Sequence, residues 1–280
     1  MTRPHSISRH LKATARKIAD TSADLWDHLT GRWGSLTPPR RLVKEVGGGD
    51  FLNVGRDFLQ LFRKPGGLLP GHSVLDVGCG VGRMALPLTT YLGPKARYEG
   101  FDVNEEEIRW CQTHITPRCP NFRFRVSPVY NKVYGPRYTT KASNYRFPFD
   151  DRSFDFVILT SVFTHMLPGD LQNYLSETTR VLKSGGRCFI TYFLLNPESE
   201  TLMSSGRSAL HFRFDIGGCR TTNPDMPEVA VAYQESFLRG LYHQHGLHIE
   251  PPVEKGAWCG RTTSRSFQDI VVAVKVALPS

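Results

Sequence analysis

Three glycines at alternate positions, Gly78, Gly80 and Gly82, follow the short apolar run Val74-Leu75-Asp76-Val77 in the stretch VLDVGCGVGR that ends at Arg83. Such a loop lets the backbone approach a ligand closely and turn sharply into a helix, which side chains at those positions would prevent. Asp102 lies twenty positions beyond Gly82, at the end of a second β-rich run. A carboxylate there can accept hydrogen bonds from both hydroxyls of a ribose, so loop and acid together predict an adenosyl site. Two ligand classes fit this outline, and glycine spacing and charge separate them. A dinucleotide loop reads G-x-G-x-x-G and seats a pyrophosphate on the helix N-terminus, whereas the spacing here is G-x-G-x-G. Asp76, expected at the mouth of the loop, would repel a pyrophosphate and attract an ammonium or sulfonium, by a few kcal/mol on a rough Coulomb estimate. The charge therefore points to S-adenosylmethionine.

The surrounding pattern supplies elements able to position such a site. Short β-rich runs alternate with helical stretches from Ser73 onward, as in a parallel sheet built from βαβ units. Strands are predicted at Val74–Val77, Arg97–Asp102, Phe122–Val126, Phe154–Leu159 and Arg187–Phe193, with a late pair at Leu247–Glu250 and Asp269–Val276. The helix after the second strand starts with Asn104 as N-cap and Glu105, Glu106 and Glu107 in its first turn, where carboxylates suit the helix dipole. The predicted fold class is α/β, a Rossmann-like, doubly wound, mostly parallel seven-stranded sheet with helices on both faces. Two domains are drawn: residues 1–46, a basic amphipathic helical extension or cap, and 47–280, the α/β domain, in which 194–235 is an insertion read as a substrate lid. In the extension, Arg3, Arg9, Lys12, Arg16 and Lys17 precede any acidic residue, and Ile7, Leu11, Ile18, Leu25 and Leu29 recur at helical spacing. It is read as a cap over the ligand cleft, with contact to an anionic membrane surface as the alternative.

On the acceptor side, His165 follows the fourth strand, where open parallel sheets bind ligands, and is the first candidate base. Its alternative is to pack or cap the start of the next helix. His211 and Arg213 lie in the insertion and are candidates to orient an acceptor, or are solvated loop contacts. Trp258 is a candidate pocket wall, or an aromatic buried against the sheet. The long connection from Val126 to Phe147 offers Tyr134.

The chain has 280 residues with a formal net charge of +9, and its six cysteines contain no C-x-x-C pair. Neither a disulfide framework nor a metal site is predicted, and a reducing, cytoplasmic setting fits. No apolar run reaches the length of a membrane span. The positive charge favours anionic partners without choosing among them.

Four collinear blocks, VLDVGCGVGR, GFDVN, FPFDDRSFDFVILTSVFTHM and RVLKSGGRCFITYF, make the chain resemble class I S-adenosylmethionine-dependent methyltransferases. The likeness is to the bacterial small-molecule group with methyltransferase domains of types 11 and 25, over about residues 51–275. It implies that Asp76, Gly78 and Gly80, with Cys79, Gly82 and Arg83 of the same loop, meet the methionine part of the cofactor. It also implies that Asp102 and Val103 hold the ribose, that Ser143, Asn144 and Tyr145 flank the adenine, and that Thr160 lines the site. Relatives carry an acidic residue after the third strand or before the L-P-F block, where this chain has Ser127-Pro128 and Ser143-Asn144. The expected reaction is methyl transfer to a small-molecule hydroxyl or carboxyl of a sugar, lipid or secondary metabolite. Its competitor is a nucleic-acid methyltransferase using the basic surface, against which stand the absent N-P-P-Y clamp and absent Pro-Cys nucleophile.

Overall fold

The computed structural model describes residues 36–47, 49–132 and 135–276. Its strands are β1 (Val74–Val77), β2 (Tyr98–Asp102), β3 (Phe122–Val126), β4 (Phe154–Leu159), β5 (Leu182–Tyr192), β6 (Leu194–Leu195), β7 (Phe214–Asp215), β8 (Arg220–Thr221), β9 (Val231–Gln234), β10 (Leu247–Ile249) and β11 (Asp269–Lys275). The helices are α1 (Arg40–Glu45), α2 (Phe51–Arg63), α3 (Ala85–Tyr91), α4 (Glu105–His114), α5 (Pro168–Val181), α6 (Pro197–Ser204) and α7 (Glu235–Gln244).

Seven strands form one sheet in the order β10-β11-β5-β4-β1-β2-β3, parallel except where β11 runs antiparallel to both β5 and β10. β1 and β4 are nearly continuous apolar runs because each is flanked by strands and covered on both faces. The two-residue alternation sorts their side chains. Leu75, Val77, Val157 and Leu159 join one core with Leu171, Leu175 and Leu238 of α5 and α7. Val74, Phe156 and Ile158 face the other way, against Phe62, Leu88 and Ile108 of α2, α3 and α4. The chain runs outward from β1 through β2 to β3 on one side and from β4 to β5 on the other. The strand order therefore reverses between β1 and β4, and the crevice beyond their C-terminal ends is where such sheets bind ligands.

Local signals in the sequence place the helices that frame this crevice. Asn104 caps α4 by accepting from the backbone N–H groups of Glu106 and Glu107, and Asp50 caps α2 by accepting from Asn53 N. Residues 1–35 of the expected extension lie outside the described residues; of its remainder, α1 packs Leu42 and Val43 into the α2 side of the core.

The insertion 194–235 has a core of its own. It forms a second, four-stranded sheet, β6-β9-β8-β7, over a third core that includes Phe193, Phe212 and Trp258. The fifth strand is longer than predicted. It starts at Leu182, with a register shift opposite Phe154 and Phe156 that accommodates the Ser184-Gly185-Gly186 turn.

Candidate active site

A cavity of about 810 Å³ lies beyond the C-terminal ends of β1, β2 and β4. Gly78 and Gly80 form one wall with φ of 72° and 53°, backbone that favours glycine. A Cβ on Gly78 would stand 2.5 Å from Val162 Cγ2, and one on Gly80 would stand 2.6 Å from Val46 Cγ1, so this cradle has no room for side chains. Asp102, at the end of β2, accepts from Gly80 N through Oδ2 and from Asn104 N through Oδ1, both at 2.9 Å. Each oxygen keeps a second lone pair, the requirement for holding two vicinal hydroxyls. Burial pushes the Asp102 carboxyl up and these backbone donors pull it down.

Acidic side chains outnumber basic ones in the cavity lining although the chain is positive. Glu45, Asp57, Asp102 and Glu107 line it against Arg83 and Arg265. Glu107 is 3% exposed, and burial, reinforced by the Asp102 charge, pushes its carboxyl up to about 8. A cationic ligand would relieve that excess of carboxylates, which suits a donor carrying a sulfonium and an ammonium.

A further part of the wall is built where the chain leaves β4. Ser161 takes a left-handed conformation, φ 58°, rare for a residue with a side chain. Its N–H donates to Thr191 Oγ1 at 2.7 Å and its hydroxyl to Gln268 Oε1 at 3.1 Å, which brings the loop before β11 into the site. His165 ends the 3₁₀ turn Phe163–His165, and its Nδ1 lies 2.8 Å from the Glu228 carbonyl oxygen. A carbonyl can only accept, so Nδ1 carries the proton and Nε2 of the neutral ring is left as an acceptor. Val54, Phe58 and Leu61 of α2, with Met166 and Phe267, make this end apolar.

Residues 75–190, from β1 through β5, match the family described as Methyltransferase domain. Over that stretch the chain is similar to the class I S-adenosylmethionine-dependent methyltransferases. S-adenosylmethionine is the cofactor of this family, and the glycine cradle, Asp102 and the carboxylate-rich wall fit it. The chain is 26% identical over 151 residues to sterol 24-C-methyltransferase erg6 of Schizosaccharomyces pombe, covering 54% of this chain and 35% of that protein. It is 33% identical over 132 residues to a probable phthiotriol/phenolphthiotriol dimycocerosates methyltransferase 2 of Mycobacterium ulcerans, covering 47% and 43%. It thus spans less than half the length of either relative. Among solved structures, the PH0226 protein of Pyrococcus horikoshii OT3 shares the fold, with a TM-score of 0.56 and 18% identity, covering 82% of this chain and 93% of that one.

Within this methyltransferase domain the cavity gathers Gly78, Cys79, Gly80, Arg83, Asp102, Val103, Thr160 and His165 from the residues named by sequence. Asp76 is not at the mouth of the loop. Alternation along β1 turns it to the Val74 side of the sheet, where it is fully buried and accepts from Tyr98 OH at 2.6 Å through Oδ2, leaving Oδ1 without a partner. Burial pushes its carboxyl up to about 7, so it is a weaker source of negative charge than a carboxylate in the loop itself would be. Gly82 faces Ile115 and Cys111 rather than the cavity, where a Cβ would crowd α4.

Ser143, Asn144 and Tyr145 also lie off the cavity wall. Their turn is tied to α5 by Asn173 Nδ2, which donates to the carbonyls of Ala142 and Tyr145, and Ser127 and Asn131 line the cavity instead. His211 and Arg213 sit on the second sheet's approach, away from the cavity. Trp258 is fully buried between Phe193 and Phe212, and its Nε1 donates to Asp269 Oδ2 at 2.6 Å. Tyr134 lies outside the described residues. The insertion supplies no lining residue among the described ones. It acts through Glu228, which holds His165, and through Tyr233 OH, which donates to Met166 O at 2.7 Å.

Glu107, Ser161 and Gln268 were not named by sequence as site residues. A signal existed for Glu107: it stands four positions before buried Cys111, on the inward stripe of α4, so its carboxylate is not a solvated first-turn charge. For Ser161 and Gln268, 107 residues apart, no local pattern announces the contact.

The Glu107 environment carries a pH expectation. Ionisation of this carboxyl near pH 8 adds a negative charge to the donor wall, which favours a sulfonium over a neutral thioether. The ratio of S-adenosylmethionine to S-adenosylhomocysteine affinity should rise roughly three- to tenfold between pH 7 and 9, a few tenths to one full Coulomb contact in a partly screened cleft. Paired calorimetric titrations across that range check it, and Glu107→Gln should flatten the trend.

Proposed function

We propose that this protein transfers a methyl group from S-adenosylmethionine to a hydroxyl of a small, largely apolar molecule. The observation that carries this reading is His165, in the wall of the donor cavity, with Nδ1 held by the Glu228 carbonyl and Nε2 left as a proton acceptor. An alcohol oxygen is a poor nucleophile until it sheds its proton, so a base of this kind beside the donor favours an oxygen acceptor.

S-adenosylmethionine, when bound, supplies a methyl carbon on a positively charged sulfur. Asp102 holds the ribose hydroxyls, and the Gly78–Gly80 backbone seats the methionine part. Val54, Phe58, Leu61 and Met166 enclose the acceptor, exclude water and align its oxygen with the methyl carbon. With the methyl carbon passing from sulfur to oxygen and S-adenosylhomocysteine left as the product, His165 Nε2 would take the acceptor proton. The cavity volume of about 810 Å³ is within the range of small-molecule sites. The name of the Schizosaccharomyces relative, a sterol 24-C-methyltransferase, supports an apolar acceptor.

The described part of the N-terminal segment supports its reading as a cap, since Glu45 and Val46 line the donor cavity. The test of the proposal is transfer of labelled methyl from S-adenosylmethionine to fractionated small-molecule extracts, run beside total RNA and DNA. Label in an organic-soluble product, released by treatments that cleave methyl ethers and stable to mild base, is the expected result. Label confined to nucleic acid would overturn it.

A further inference from the structure

A second concavity, of about 690 Å³, opens beside the edge strand β3. An aromatic stack divides it from the donor cavity: Phe101, which lines the donor side, packs its ring 5.0 Å from Phe147 and 6.3 Å from Phe149, which line the second. Arg97, Arg125 and Arg146 converge here from three separate segments.

Like charges gather only where something holds them. Glu99 of β2, 1% exposed, supplies the tether: Oε1 accepts from Arg97 Nε at 3.1 Å, and Oε2 lies 3.4 Å from Arg125 Nε. Rings fix the guanidinium positions, with Arg97 over Phe154 at 5.0 Å and Arg125 over Phe149 at 5.3 Å. Both tethers use Nε. The terminal nitrogens of the two forks, the pair that meets two oxygens of an oxyanion, have no hydrogen-bond partner among the described residues. One buried carboxylate serves two guanidiniums. Arg146 stands 3.6 Å from Asp151, whose carboxylate is already taken by Arg180 at 2.7 Å. Asp150 also lines the concavity. A packing role would need only apolar stems over Phe149; preset, unsatisfied forks are the arrangement that recognises a tetrahedral oxyanion.

We propose that Arg97, Arg125 and Arg146 form a binding site for a phosphate group, separate from the methyl-donor cavity. The phosphate is carried either by a soluble molecule or by a lipid headgroup, and the chemistry of recognition is the same. A phosphate offers two negative charges and enough oxygens to engage more than one fork, whereas Glu99 meets the two guanidiniums only at Nε, by a hydrogen bond to Arg97 and an ion pair with Arg125.

The experiment titrates inorganic phosphate into the full-length protein at low ionic strength, by calorimetry. In parallel it measures co-sedimentation with phosphatidylcholine vesicles containing or lacking phosphatidic acid. Three variants accompany the wild type: Arg97→Gln/Arg125→Gln; a charge-matched control, Arg118→Gln/Arg239→Gln; and Arg97→Lys/Arg125→Lys, which keeps the charge opposite Glu99 should the first variant fail to fold. Saturable binding is expected that weakens at least about tenfold in the glutamine and lysine variants and less than about twofold in the control, since hydrogen bonds to charged groups are lost. Binding of free phosphate identifies a soluble source, and binding only to phosphatidic acid vesicles identifies a headgroup. Equal losses in the control, full retention in the lysine variant, or no saturable binding in either arm would overturn the proposal.

Discussion

His165→Asn should lower kcat for a hydroxyl acceptor by about 10²–10⁴-fold, the usual contribution of a positioned base, while S-adenosylhomocysteine affinity changes by less than about twofold. Asparagine is the informative replacement because its amide nitrogen falls near the position of histidine Nδ1. It can still donate to the Glu228 carbonyl, which the wild-type ring meets at 2.8 Å. The structural tie survives and only the Nε2 lone pair is lost. If His165 merely anchors the turn after β4 to the insertion, His165→Asn should work nearly as well as wild type. If it takes the acceptor proton, activity falls and added imidazole restores part of it. Steady-state kinetics with and without imidazole, beside calorimetry of the cofactor product, separate the two roles. The effect should appear in kcat with little change in cofactor affinity, since Asp102 is held by Gly80 N and Asn104 N and not by His165.

Asp102→Ala should weaken S-adenosylhomocysteine binding by about 1.5–3 kcal/mol, roughly a 10- to 150-fold rise in Kd, because charge-assisted hydrogen bonds to the ribose are removed. The structure adds a second reason. Asp102 also accepts from Gly80 N and Asn104 N, so alanine leaves two backbone donors without their partner and loosens the glycine cradle against the start of α4. Asp102→Asn isolates the charge, since the amide oxygen can still accept from one of these donors, and it should lose less than alanine. Isothermal titration of the three proteins checks the order. Alanine affinity equal to wild type would mean that the ribose is held elsewhere.

The glycine cradle and Asp102 are legible in the sequence because they are local. A turn that must run close to a ligand demands residues without a Cβ, and a strand end is marked by the run that precedes it. The same holds for β1 to β4, whose predicted spans match those observed within a residue, and for the Asn104 cap of α4. Alternation along a central strand is equally available, and applied to Val74-Leu75-Asp76-Val77 it argues that Asp76 cannot share the loop's exposure. What hides this is the neighbour: Tyr98, on the adjacent strand, supplies the hydrogen bond that lets a carboxyl stay buried.

Trp258 shows the same limit from the other side. A large aromatic can wall a pocket or fill a core, and the choice is made by Asp269, itself fully buried and accepting from Leu194 N, Gly256 N and the Trp258 indole. The insertion 194–235, too short in its strands for any periodicity to show, is readable as a break in the fold but not as a second sheet.

The sequence by itself determined the fold class, the glycine loop after β1 and the acid that ends β2, since each depends on backbone geometry and hydrophobic alternation over a few consecutive residues. Only the tertiary structure decided which residues wall the cavity after β4 and which meet in the second concavity. Ser161 with Gln268, His165 with Glu228, and Arg97 with Arg125 on Glu99 are contacts between segments 26 to 107 residues apart in sequence order, counting from Glu99 to Arg125 and from Ser161 to Gln268. Their free energy depends on burial and on the direction of single lone pairs, which no residue carries alone and which exist only after the strands have been set side by side.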